Sequence, residues 1–355
     1  MVIDEATSAI GLPRASRLWA TLLLLASCTT PPVKTPSAPP EKKVQATQEV
    51  SALSELVAGQ QRIYRVAAPL MVKNAPLCRT LARPLLGFTA KNRYSYPAEL
   101  GPAAESLLKL DNRLRVMQVL DGSGAMRAGI QPGDILQSIQ DQPLPLGANA
   151  ENEAARLLAP LLKNAVDISV LILRKEQAIR LTIPLTAACA FSMEIGHTPQ
   201  VNAYSDGRRI MITQGMLDFL SGDEELAVIL AREMAHNVLQ HAAAQQMTAT
   251  AASMIDALLP LQPDAAALVS RGGLRPMPAK ADQEADRLAM YLLARAGHDP
   301  GVSERTIDKL AQAYPSSQIN AYTAMHPWTP ERQQSIQTTL REIRQKQTSK
   351  NPLLP

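Results

Sequence analysis

Aromatic side chains are scarce, at 3% of 355 residues. A chain so poor in large rings, and rich in Ala and Leu, favours helices packed closely on small residues. Charge of one sign is lacking too. The formal net charge of +4 is small for this length, no Lys/Arg cluster accompanies it, and a nucleic-acid partner is not indicated. Cysteine is limited to Cys28, Cys78 and Cys189, so at most one pair can form within the chain. What is plentiful is hydrophobic content, 46%, enough for packed cores in two modest domains with tails.

Near the start, Arg14 and Arg17 precede the apolar run from Leu18 to Ala26 and then Leu25-Ala26-Ser27-Cys28. The run is too short to span a bilayer, and the pattern resembles a bacterial lipoprotein signal ending at residue 27, with Cys28 as the lipidated first residue of the mature protein. An ordinary signal peptide or anchor is the alternative. Residues 1–13 are a long, partly acidic lead-in, so translation is expected to start downstream of Met1. Thr29 after the cysteine points to the outer membrane. The expected setting is the bacterial envelope, lipid-anchored and facing the periplasm. There Cys78 and Cys189 either pair as a disulfide or stay as buried thiols. Residues 28–47, with Pro31 to Lys43 rich in Pro, Lys, Thr and Ser, are expected to be a solvated tether.

Over 48–84 the apolar spacing predicts a helical segment, with Val50, Leu53, Leu56 and Val57 on one stripe and Pro69 and Pro76 breaking it. Over 85–185 the period turns to strands. Leu114 to Leu120 alternates, then Ala125 to Gly129, the Pro132-Gly133-Asp134 turn, Ile135 to Ile139, Glu151 to Leu162, and Val166 to Val170 with Ala178 to Ile183 follow. This order resembles the PDZ family. The resemblance implies capture of a peptide as an added strand, its carboxylate held at Leu86-Gly87-Phe88, or else a module that only packs against the following domain.

The chain is organised around Glu224 to His241. Ser221 with Glu224 reads as a capping box, and Leu226, Ile229, Leu230 and Met234 recur at helical spacing. Arg232-Glu233-Met234-Ala235-His236 has the frame of the zinc-peptidase helix H-E-x-x-H, with Arg232 where the first ligand belongs. A guanidinium has no lone pair to give a metal. Upstream, Val201 to Tyr204 and Arg209 to Thr213 read as strands joined at Asp206-Gly207. With Asn202-Ala203-Tyr204, Thr213 to Met216 and Glu225-Leu226-Ala227, residues 186–346 resemble peptidase family M48, the gluzincins, leaving 347–355 as a tail. The fold class expected is α+β, a mostly helical gluzincin-type domain preceded by a small β-rich PDZ domain.

The resemblance implies a zinc site, with Glu233 as general base, His236 as ligand, Asp282 at the position of the family's ligand Glu, and Asp286 orienting an imidazole. Glu284 points elsewhere at i+2, and His241, about 140° round the helix from His236, should miss the metal. His326, in the family's late His-Pro segment, either partly replaces the lost ligand or orders the C-terminal helix. His197 and His298 are assigned nothing. Arg232 itself is expected to stand in for the ion, bridging carboxylates left without a metal. Two functions follow. One is a metalloendopeptidase acting on envelope polypeptides, with zinc held by His236, Asp282 and His326 and activity weak or lost. The other is a non-catalytic relative that binds peptides through its PDZ and its cleft, presenting Val201 to Tyr204 or Arg209 to Thr213 as the pairing strand.

Overall fold

A computed structural model of the chain describes residues 41–263, 275–318 and 321–355. The signal segment, Cys28, the tether as far as Pro40 and the Gly272-Gly273 pair lie outside the described residues. The fold is mixed α+β.

Helix α1 (Glu41–Lys73) starts earlier than the apolar spacing predicts and takes in the last residues assigned to the tether. It also runs through Pro69. Its end is set at Asn74, whose side-chain amide donates to Leu70 O (3.0 Å) and to Leu292 O (2.9 Å). Tertiary bonds at the next turn, with Leu70 and Met71 buried, outweigh the one hydrogen bond a proline removes.

Strand β1 (Ala82–Leu85) already lies within the segment read as helical, and it opens an inserted module. The module comprises β2 (Phe88–Lys91), α2 (Gly101–Leu108), β3 (Arg115–Val119), α3 (Gly124–Ala128), β4 (Ile135–Ile139), β5 (Gln142–Pro143), α4 (Ala150–Leu162), β6 (Asp167–Arg174) and β7 (Gln177–Pro184). Its sheet has the order β2-β3-β4-β6-β7, with β5 on β4 and every pairing antiparallel. Val116, Ile139, Ile168, Val170, Ile172 and Ile183 form a core of its own. Strand β8 (Thr186–Cys189) then returns to pair antiparallel with β1, and Cys78 and Cys189 form a disulfide across that point.

The remaining elements are β9 (Ser192–Gly196), β10 (Ala203–Ser205), β11 (Arg209–Thr213), α5 (Gln214–Phe219), α6 (Asp223–Val238), α7 (His241–Ala244), α8 (Thr248–Leu258), α9 (Ala279–Ala296), α10 (Val302–Ala313), α11 (Tyr322–Met325) and α12 (Pro330–Thr348). The order β10-β11-β9 puts β11 at the centre, parallel to β9 and in a hairpin with β10. Gly207 turns that hairpin at φ 96°, where a side chain would be strained. Arg209 to Thr213 therefore cannot be the strand that accepts a peptide, because both its edges are taken. Among the described residues the unpaired edges of this sheet are those of β9 and β10, and the one beside α6 is that of Ala203–Ser205.

Helix α6 is buried from Leu226 to Val238, far beyond one apolar stripe, because α1, α9, α10 and β10 surround it. Its cap differs from the capping box read in the sequence. Gly222 is the N-cap, the Ser221 N–H donates to Glu225 (2.8 Å), and Glu224 instead reaches His298 (2.8 Å) and the Asp299 N–H (3.1 Å). Helix α12 buries Arg332, Ile336, Thr339 and Ile343 against α9, so only part of it is solvated. Among the described residues no helix is long and apolar enough to cross a membrane.

The Cys78–Cys189 bridge closes a loop with a sequence separation of 111. Cys78→Ser with Cys189→Ser is expected to cost about 2–5 kcal/mol in chemical denaturation. Stability unchanged between the variant and the oxidised protein would show that the β1–β8 pairing holds the module unaided.

Candidate functional site

Two one-turn ladders face each other in the core. On α6 the i, i+4 spacing stacks Arg232 above His236, and on α9 it stacks Asp282 above Asp286; all four are at least 98% buried. Arg232 Nε donates to Asp286 Oδ1 (2.6 Å), Nη2 donates to Asp282 Oδ1 (3.0 Å), and Nη1 donates to the Tyr322 hydroxyl. The guanidinium thus lies between both carboxylates. Arg332, 0% exposed, grips Asp286 from the other side, with Nε on Oδ2 (2.8 Å) and Nη2 on Oδ1 (3.1 Å). Its Nη1 donates to the carbonyls of His326 (2.9 Å) and Pro327 (2.8 Å), which fixes the loop before α12.

That loop brings His326 Nδ1 to 2.7 Å from Asp282 Oδ1, so the carboxylate oxygen is shared between an imidazole and a guanidinium. Glu233 is held at both oxygens, Oε1 by Tyr322 OH (2.9 Å) and Oε2 by Ser205 Oγ (2.8 Å) on β10. His241 is not on the His236 helix at all. Helix α6 ends at Val238, Gln240 turns left-handed (φ 57°), and the fold-back sets His241 Nδ1 3.0 Å from His236 Nδ1. Glu284 points away from the buried carboxylates and lies 3.5 Å from His241. Leu86 and Gly87 form the bend between β1 and β2, and Phe88 begins β2 of the inserted sheet; the Gly87 carbonyl (φ 88°) accepts from the Leu120 N–H (2.8 Å).

Three side chains were missed by the sequence reading. Arg332 falls four residues before Ile336 on the buried stripe of α12, and a charge on an apolar stripe was the available signal. Ser205 follows the Asn-Ala-Tyr run directly. Tyr322 carried no signal.

Burial favours loss of the Arg232 proton, but Tyr322, Asp286, Asp282 and Glu233 around it more than offset this and raise its pKa. Burial pushes the carboxyls of Asp282, Asp286 and Glu233 upward, yet the net shift of each is down. Next in importance are His326 for Asp282 and Glu233, and the guanidiniums of Arg232 and Arg332 for Asp286. Burial dominates at His236 and pushes it down to about 4.

Among the described residues, His236, Asp282 and His326 bring ligand atoms within 4.8 Å of one another. His236 Nε2 and Asp282 Oδ2 are buried with no hydrogen-bond partner. His236, Asp282 and His326 are the three candidate ligands, but Asp282 Oδ1 is already shared between His326 Nδ1 and the Arg232 guanidinium, and arginine at the first position of the frame can give no lone pair. Arg232 also brings, beside Asp282 and Asp286, the positive charge that a metal would otherwise supply. The residues present do not fit a catalytic zinc.

Two outcomes are expected from this arrangement. Arg232→Ala leaves buried carboxylates without their cation and should cost about 3–5 kcal/mol in a denaturant titration; a loss under 1 kcal/mol would mean that the cluster is solvated. Acidification should also destabilise. His236 titrates near 6.5 when unfolded and near 4 when folded, so its contribution of ~3 kcal/mol is complete above pH 6.5 and fades as the pH falls toward 4. The depressed carboxylates hold theirs to lower pH still. Stability flat between pH 7 and 4 would contradict this.

The sequence aligns with known proteins in the same region. Residues 173–340 match Peptidase family M48. The mitochondrial metalloendopeptidase OMA1 of Schizosaccharomyces pombe is 26% identical over 163 residues, 44% of this chain and 48% of that protein. OMA1 of Arabidopsis thaliana is 31% identical over 134 residues, 36% of this chain and 27% of that protein. The chain spans less than half the length of these relatives. Among solved structures, the HtrA-type protease AlgW with decapeptide covers 30% of either chain at 27% identity with a TM-score of 0.23. The HtrA3 PDZ domain bound to a phage-derived ligand covers 30% of this chain and 88% of that one, at 18% identity and a TM-score of 0.21. Members of the matched family are typically zinc-dependent metallopeptidases. Residues 173–340 thus form a peptidase family M48 domain, homologous to the OMA1 metalloendopeptidases.

Proposed function

We propose that this is a metallopeptidase-family protein in which an internal cation has taken the place of the catalytic metal. It holds extended polypeptide segments in the surviving cleft and cuts them weakly or not at all. The observation that carries this is Arg232, 1% exposed and bonded to Asp282, Asp286 and Tyr322 at once. Fixed positive charge there removes the need for a metal and opposes its entry. The open edge of β10, next to Glu233 through Ser205, is where a peptide strand would add. The 85–185 module, with its PDZ resemblance, is a second peptide-binding element at Leu86-Gly87-Phe88, and β2 is an edge strand.

The site of action we propose is the bacterial envelope, with Cys28 lipid-anchored and the chain facing the periplasm from the outer membrane. The pattern before Cys28 supports this, and the Cys78–Cys189 disulfide favours an oxidising compartment. A second reading keeps proteolysis, with zinc on His236, Asp282 and His326 and Glu233 as base. It is favoured by the unpartnered His236 Nε2 and Asp282 Oδ2.

Metal analysis with a casein digestion separates the two. The purified protein is expected to hold well under one zinc per chain and to leave casein intact, as does its Glu233→Gln control. Arg232→His combined with Asp282→Glu is expected to recover about one zinc per chain, the usual stoichiometry of a catalytic site. Stoichiometric zinc in the unaltered protein would decide for the second reading.

A further inference from the structure

A cavity of about 710 Å³ lies where the inserted module meets the peptidase-family domain, and no residue of the buried charge cluster lines it. One wall is the first half of α1, another is the turn at Ala98–Leu100 before α2, and the chain just after α8 completes it. Its charge runs against that of the whole chain. The sequence has 36 Lys and Arg against 32 Asp and Glu, yet Glu49, Glu55 and Glu99 line the cavity and no Lys or Arg does. Among the described residues no cation pairs with any of the three. Glu49 is half-buried without a hydrogen-bond partner, and Glu55 accepts only from the Ser51 hydroxyl (3.2 Å). Burial lowers the pKa of His197, which also lines the cavity, so its imidazole is neutral at pH 7 and offsets nothing. Between the carboxylates the surface is apolar, supplied by Leu56, Leu100 and Leu261 with Pro97 and Pro260.

We infer that this cavity binds a basic, extended polypeptide segment, one with Lys or Arg at every third residue and apolar residues between, at a site separate from the Glu233 cleft. It holds whether or not that cleft takes a peptide. The volume falls within the range of about 300–1,000 Å³ usual for ligand pockets, and junctions between domains are where such pockets form. Glu49 and Glu55 from α1 and Glu99 from the module bring like charge to one space, and a cationic occupant relieves it. Spacing narrows the choice. Glu49 and Glu55 are about 9 Å apart along the helix axis, and a polyproline II segment repeats every three residues over about the same distance. No strand lines the cavity, so a segment there has no backbone ladder to join, and polyproline II is the extended form that needs none. The side-chain amides of Gln48 and Gln262 can donate to its carbonyls. Basic side chains then reach the carboxylates while their stems and the residues between them cover the leucines. A small polycation would meet the charges and leave that apolar surface bare.

The experiment is an anisotropy titration of the purified full chain with the labelled peptide Lys-Leu-Pro-Lys-Leu-Pro-Lys, acetylated and amidated so that no terminal carboxylate is offered to the inserted module. Matched peptides carry Glu for every Lys, or Ser for every Leu. The parent peptide is expected to bind about tenfold or more tighter than either, and to weaken as salt is added. Glu49→Gln combined with Glu99→Gln should weaken it about tenfold. Ala52→Arg, at an exposed position of α1 inside the cavity, should abolish binding. Thermal melts check the fold. If Ala52→Arg is unfolded, the double Glu→Gln variant alone decides. Binding that survives both changes places the peptide elsewhere and overturns the site, as does equal binding of all three peptides or of none. Displacement of the parent peptide by an equal concentration of spermidine shows that a small polycation suffices, and it overturns the assignment of a polypeptide.

Discussion

Two carboxylates on one helix, closed in by two guanidiniums from two others, are what the core of the 173–340 region is built around. Asp282 and Asp286 cannot stay ionised in an apolar interior unless cations are supplied, and Arg232 and Arg332 supply them. The arrangement does more than balance charge. Arg332 is bonded to the carbonyls of the loop that carries His326, and Arg232 to the hydroxyl that steadies Glu233. The cluster therefore positions α6, α9, α11 and α12 relative to one another. Apolar groups of the same volume could give comparable stability, but they would not specify this registry of helices.

A metal site and this cluster need the same carboxylates in nearly the same places. They differ in what completes them. A metal requires lone pairs converging from several sides, whereas a guanidinium brings only donors and carries its charge permanently. On the function proposed above, Arg232 at the first position of the H-E-x-x-H frame makes the site one that contains its cation instead of recruiting it. Features that do not depend on an ion stand beside the cluster, namely the unpaired edge of β10 and the hydroxyls on Glu233.

The inserted module is tied to this core by covalent and hydrogen bonds at both ends. β1 and β8 pair where the chain leaves and returns, and Cys78 and Cys189 sit in the same apolar cluster as Leu226, Leu230 and Met234. A module fastened in this way cannot drift as one on a flexible tether would.

Local chemistry was legible in the chain wherever a feature depends on neighbours in sequence. The Asp206-Gly207 turn, the helical spacing around Arg232, the alternation of the inserted strands and the one-turn spacing of Asp282 and Asp286 all follow from backbone periodicity and residue type. Pro69 inside α1 and the Gly222 cap of α6 did not, because distant partners at Leu292 and His298 decide them. The sequence alone determined that a permanent cation stands at a ligand position, since no fold can give arginine a lone pair. Only the tertiary structure decided where that charge goes, because its partners lie fifty or more residues away, beyond the reach of any local rule.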